Sequence, residues 1–182
     1  QVTQIASGLD IQNVRSLSNG KLIIAATNGV YILDTIGAPV KISSQGSFDA
    51  IELAGGGYLL NAMGENKLYK LDDNGVLEKF TDSNLIEYTD AQLMQEPDGS
   101  ILVTNRYQSR ILRFELDGSF RDVPAAFTNG YPYQLTRFGD KGYLLSTSNG
   151  LYWYNENWIV ERLVSSDVRT AIALPDGSLL WS

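Results

Sequence analysis

Five polar residues in this chain recur at one offset from a turn. Asn13, Asp49, Gln92, Gln134 and Thr170 each stand seven positions before Gly20, Gly56, Gly99, Lys141 and Gly177, and each is followed by an apolar residue. Short polar side chains collected at one place can hydrogen-bond a polar ligand or hold ordered water. The plainer alternative is a set of polar strand starts beside a water-filled channel. Metal-dependent hydrolysis asks for more: two or three Asp, Glu or Asn converging on a divalent ion such as calcium, with one carboxylate left as base. Asn13, Asp49 and Glu52 are the available residues. Strand alternation puts Glu52 on the face opposite Asp49, so Asp49 is a weak metal candidate. Asp72 and Asp73 sit in a turn, where Asp is ordinary. The five residues therefore read as ligand-binding, with no catalytic residue and no cofactor assigned.

Composition removes other chemistries. The 182 residues contain no His and no Cys, so imidazole and thiolate catalysis are absent, as are disulfides. No nucleophile elbow, phosphate loop or zinc spacing occurs. The net charge of −7 disfavours nucleic acid, whose binding depends on cationic neutralisation of phosphate. No apolar run approaches the length of a membrane span, so no membrane insertion is expected.

The elements that carry the five residues are repeats. The stretches "NGKLIIAATNGVYILD", "GGGYLLNAMGENKLYKLD", "DGSILVTNRYQSRILRFE" and "DKGYLLSTSNGLYWYN" align, and "DGSLLWS" opens a further copy. Successive landmarks are 36, 43, 42 and 36 residues apart. Each full copy holds four short strand signals. The first reads Val14–Leu17, Lys21–Thr27, Val30–Asp34 and Val40–Ser43, and the third Ala91–Gln95, Ser100–Asn105, Arg110–Glu115 and Phe120–Val123. Asn-Gly occurs five times and Asp-Gly three, mostly between apolar segments, where tight hairpins need positive φ. Nothing sustains a helical period. A β-sandwich with coincidental turns would not repeat in this way. The pattern predicts an all-β chain, a β-propeller of four-stranded antiparallel blades, with four complete blades and an incomplete one.

The expected blades cover about 13–43, 49–80, 91–123 and 133–164, and the partial blade 169–182. With strands lettered A to D outward from the channel, Val2–Ala6 reads as a D strand that completes the partial blade in part. B and D strands run the same way, so a C strand is missing between them. The expectation is a fragment of a longer propeller, or a second chain that supplies the missing strand.

The third copy, "DGSILVTNRYQSRILRFELDGSF", resembles the NHL repeat, with Asn105 where that family usually has Asp. "LLSTSNGLYWYN" and "LIIAATNGVYILD" look like the two-component-regulator propeller repeat, and "DGSLLWS" like its opening phrase. The resemblance spans the whole chain through turn and packing motifs, which specify fold better than activity. It implies a binding or scaffolding module, or a periplasmic or extracellular sensor region. Related six-bladed families include metal-dependent lactonases.

In such a fold the A–B turns share one face and the D–A and B–C loops the other. The A–B turns here are short and alike, whereas the D–A loops are long and irregular, and binding tends to reside on loops of that kind. The five polar residues would ring the channel mouth on that face. Phe48, Tyr88, Tyr107, Phe127, Tyr131 and Tyr133 would form an aromatic rim with Arg106 in a B–C loop, and Arg106, Tyr107, Tyr131 and Tyr133 are its ligand-binding candidates. Flat faces with polar edges suit sugar rings and partner hot spots alike. Trp153, Trp158 and Trp181 read as packing residues. The leading expectation is a non-enzymatic sensory or recognition propeller of an extracytoplasmic bacterial protein, taking a small polar ligand, a glycan or a protein. A lactonase-like hydrolase and a purely architectural scaffold are the alternatives.

Overall fold

A computed structural model describes residues 8–34, 37–65, 67–81, 91–123, 130–174 and 176–182. The strand expected over Val2–Ala6 lies outside them. The first blade consists of β1 (Ile11–Ser16), β2 (Leu22–Ala26), β3 (Gly29–Leu33) and β4 (Val40–Ser43). The second consists of β5 (Ser47–Glu52), β6 (Tyr58–Ala62), β7 (Lys67–Leu71) and β8 (Leu77–Lys79). The third is β9 (Leu93–Gln95), β10 (Ile101–Asn105), β11 (Arg110–Phe114) and β12 (Phe120–Val123). The fourth is β13 (Pro132–Arg137), β14 (Tyr143–Thr147), β15 (Gly150–Tyr154) and β16 (Val160–Val164). A fifth sheet holds β17 (Ala171–Ala173) and β18 (Leu179–Trp181). Every pairing is antiparallel between neighbours in sequence, and successive blades meet through their inner strands, β1 with β5, β5 with β9, β10 with β13 and β13 with β17. No described residue is helical, and no helix is long and apolar enough to cross a membrane.

Burial peaks in the second strand of each complete blade and is lower in the innermost strand, β1 being largely exposed. Every side chain of β10 and β14 is buried, whereas β4 and β12 are largely exposed. A strand with blades on both sides must be apolar on both faces, which explains the continuous runs "LIIAA" and "ILV". Alternation then sends side chains of one strand to two different seams. From β10, Ile101 and Val103 pack with Leu59 and Leu68 of the second blade, while Leu102 packs with Leu135 and Leu145 of the fourth.

Turn chemistry sets the A–B hairpins. Gly99 and Gly177 adopt φ of 90° and 84°. The Asp one residue earlier accepts from the amide two residues on, at 3.0 Å for Asp98 and 2.9 Å for Asp176. The fourth blade breaks the glycine habit in its C–D turn. Trp158 holds φ of 61° where the second and third blades use Gly75 and Gly118. Its indole stacks on Tyr143 at 4.6 Å and an interplanar angle of 8°, contact a glycine could not make.

Candidate functional site

The innermost strand of three blades begins with a bulge. Register slips between Ile11 and Asn13, between Ser47 and Asp49, and between Pro132 and Gln134, leaving Gln12, Phe48 and Tyr133 outside the ladder. A bulge turns the extra residue away from the pleat and re-aims its side chain. All three side chains line one cavity of ≈ 230 Å³, together with Asn13, Ala91, Gln92, Arg106 and Pro132. Ala91 occupies the matching position in the third blade, and Arg169 in the fifth sheet. Four residues that stand eight before a turn landmark, Gln12, Phe48, Ala91 and Tyr133, therefore line the cavity beside two members of the ring expected from the sequence.

That expected ring divides. Asn13 and Gln92 line the cavity. Asp49 lies beneath it, 1 % exposed, as a staple between blades. Its Oδ1 accepts from Asn13 Nδ2 (2.9 Å), Arg15 Nε (2.8 Å) and the Ala50 amide (2.9 Å). Its Oδ2 accepts from Arg15 Nη2 (2.5 Å) and the Leu93 amide of the next blade (2.8 Å). Gln134 repeats the device two seams further on, between the fourth blade and the fifth sheet. Its Oε1 accepts from Thr170 Oγ1 (2.5 Å) and the Ala171 amide (3.2 Å). Gln92 stands apart from these staples: its backbone bonds to Thr104, and its side-chain amide has no partner among the described residues. Arg15 was not foreseen as a site residue. Two positions after Asn13 on the same strand face, it was legible as a neighbour of Asp49 by alternation.

The opposite rim also staples blade to blade. Glu52 accepts from the Ser18 amide (2.7 Å) and hydroxyl (2.8 Å), and Gln95, its equivalent in the third blade, accepts from the Ala54 amide (2.7 Å). At the following seam the donor position is Pro97, which has no N–H, and the acceptor position is Arg137. The bond is replaced by an ion pair: Arg137 Nη1 donates to buried Glu96 at 3.1 Å and Nη2 to Glu156 at 2.8 Å. The Tyr143 hydroxyl also donates to Glu96. Burial, and then the bond to Glu96, hold the Tyr143 phenol well above its ordinary value.

The rim residues separate as well. Arg106 and Tyr133 line the cavity. Tyr107 and Tyr131 are 57 % and 50 % exposed and stand outside its wall. The Arg106 guanidinium lies 5.1 Å and the Arg169 guanidinium 4.3 Å from the centre of the Tyr133 ring. Tyr88 and Phe127 lie outside the described residues. Of the tryptophans, Trp158 packs as described, Trp153 donates its indole N–H to the Lys141 carbonyl at 3.0 Å, and Trp181 is half exposed.

Divalent-metal chemistry does not fit these groups. The two Asp49 oxygens already accept from five N–H donors, two of them on the Arg15 guanidinium, and Glu52 is bonded at the other end of its strand. Among the described residues, no three carboxylates or other metal-binding side chains converge.

No family model matches the chain. Over 84 residues it is 31 % identical to one subunit of the V-type proton ATPase of rat, ox and mouse, a stretch covering 44 % of this chain and 71 % of that protein. The chain is a sequence relative of that ATPase component over this stretch, which is less than half of its own length. Likeness of structure extends much further. Virginiamycin B lyase from Staphylococcus aureus superposes with a TM-score of 0.71 at 16 % identity, over 95 % of this chain and 65 % of the lyase. The extracellular domain of a candidate hybrid two-component system from B. thetaiotaomicron gives 0.69 at 13 % identity, over 94 % of this chain and 25 % of that one. The chain is a β-propeller. A candidate gluconolactonase shares the fold with a TM-score of 0.71 at 14 % identity, over 99 % of this propeller and 74 % of that chain. At such identities the likeness concerns architecture, and the propeller's function has to be argued from its own side chains.

Proposed function

We propose that this propeller is a recognition module that binds a small polar ligand, a glycan or a protein segment at its channel mouth, as the sensory part of an extracytoplasmic protein. The observation that carries this reading is the bulged layer: three blades independently aim an extra side chain into one cavity. Its wall mixes amides, two aromatic rings and a guanidinium, the combination that holds polar ligands with apolar faces. The likeness to extracellular domains of two-component systems supports the sensory assignment.

The lyase and gluconolactonase likenesses point to an enzyme, but the side chains here do not. A variant of the lyase with one histidine replaced by alanine is catalytically inactive. The 182 residues of this chain contain no histidine, and the polar groups beneath the mouth are tied up between blades. A thermal-shift screen against glycans, small acids and peptides tests the proposal. Hits should weaken about tenfold or more in Gln92→Ala and Tyr133→Ala, as expected for loss of a contact worth about 1.4 kcal/mol. Affinities unchanged in both variants would place binding elsewhere.

A further inference from the structure

We propose a second binding site, independent of the channel mouth, in the seam between the second and third blades. It receives a free small molecule of the phenol class, one aromatic ring with one oxygen substituent. The cavity encloses ≈ 190 Å³ beside the Gly55–Gly56 turn, and its apolar wall is Leu53, Leu59, Phe80, Ile101 and Leu116, with Lys70 beside them. An apolar cavity of about 150 Å³ stays dry and holds a benzene ring.

The first observation is what stands at the equivalent place in the other seams. The residue two after each turn landmark packs into the seam with the preceding blade: Tyr58 with the first, Ile101 with the second, Tyr143 with the third and Leu179 with the fourth. Two seams thus hold a tyrosine ring at this point. Where Leu179 stands, Trp153 packs in the same cluster, from the strand position opposite Leu144. In the second blade that position is Lys70, opposite Leu59. Among the described residues, the seam between the second and third blades has a ring at neither position, and there the cavity lies. A guest ring takes the place that the other seams fill with a ring of their own.

The second observation is the turn. Gly55 stands where the other A–B turns have Asn19, Asp98, Asp140 and Asp176. A methyl at Gly55 would meet no atom within 4 Å, so no side chain covers this corner of the cavity. The third is Lys70. Its ammonium lies 4.6 Å from the centre of the Phe80 ring and donates to the Leu116 carbonyl at 3.4 Å. Glu78, opposite Lys70 across the strand pair, forms no ion pair with it. An ammonium carries three N–H donors, so Lys70 has donors left for an oxygen at the wall, while Phe80 offers the ring a face. Gln95, which also lines the cavity, is bonded at both ends of its amide.

The test follows the methyl signals of Leu53, Ile101, Leu116 and Ala91 by NMR during titration with phenol and, separately, toluene. The three seam residues should shift saturably with both, phenol binding more tightly, while the Ala91 methyl at the channel mouth stays still. Ile101→Tyr supplies the missing ring and should abolish the response. Leu116→Ala trims an exposed wall without loss of the fold and should weaken binding about fourfold, the worth of one buried methylene. Lys70→Met should bring phenol down to the affinity of toluene with the melting temperature unchanged. A linear response, one confined to Ala91, or one that survives both Ile101→Tyr and Leu116→Ala would overturn the site. If Ile101→Tyr does not fold, Leu116→Ala and Lys70→Met decide. Toluene binding as tightly as phenol would refute the contact with Lys70 and, with it, the phenol assignment.

Discussion

The two rims of the propeller use the same device and leave different remainders. On the A–B turn side, polar residues at the seams are bonded to a neighbouring blade: Glu52 to Ser18, Gln95 to Ala54, and Glu96 to Arg137 where Pro97 removes the backbone donor. On the loop side, Asp49 and Gln134 do the same work, but a bulge in front of them turns one further residue per blade into the channel mouth. One rim joins blades; the other joins blades and also presents side chains. On the loop side the stapling residue and the residue turned into the mouth are one position apart.

The strongest way to break this comparison is to remove the staple beneath the mouth. Asp49→Ala leaves Arg15 without its carboxylate and the Leu93 amide without its acceptor, and should cost about 3 kcal/mol, the scale for breaking a buried pair, reduced because Arg15 is partly exposed. Chemical denaturation would show a lower midpoint with an unchanged slope. A loss below about 0.5 kcal/mol, the range of an ordinary surface change, would show that the seam does not depend on it.

Gln95→Ala removes a single neutral acceptor from the Ala54 amide and is expected to cost about 1 kcal/mol in the same measurement, without effect on any mouth ligand. Weakened ligand binding would mean that the rims are coupled. A pH titration sharpens the turn side further. The hydroxyl and amide of Ser100, and then the nearby Arg113, hold the Asp98 carboxyl below the ordinary carboxylate range. A carboxylate with a depressed folded value contributes stability above its unfolded pKa of about 3.9 and loses it as pH falls through the lower folded value. Wild type should therefore lose stability on acidification below about pH 4, and Asp98→Asn should lose less over that window. Equal slopes would remove Asp98 from the account.

The smallest effect is expected at Gln92. Gln92→Ala should change stability by less than about 0.5 kcal/mol, because its side chain has no partner to lose among the described residues. A destabilisation matching that of Gln134→Ala would make Gln92 one more staple and erase the distinction between the rims.

Much of the fold was legible because turn chemistry and alternation are local. Asp98-Gly99 and Asp176-Gly177 mark hairpins through their own φ and Asx bonds, and β4 and β12 fall on Val40–Ser43 and Phe120–Val123 as read. The innermost strands were less clear: β1 begins at Ile11, ahead of the expected Val14, because its first residues flank the bulge. The site was half legible. Counting back from the turns found a real equivalence among Asn13, Asp49, Gln92, Gln134 and Thr170, but could not say which of them would be stapled. A staple needs a donor from a blade some forty residues away in the chain, and a bulge leaves no mark in local residue types.

Residue order by itself determined the repeat, the four-stranded unit, the apolar runs that require packing on both faces and the absence of imidazole and thiol chemistry, since each follows from side-chain type and short-range spacing. Tertiary structure alone decided that Gln12, Phe48 and Tyr133 face the channel mouth, that Asp49 is engaged beneath them, and that Arg106 and Arg169 meet on one ring. These are contacts between separate blades, and their geometry exists only once the sheets stand side by side around the axis.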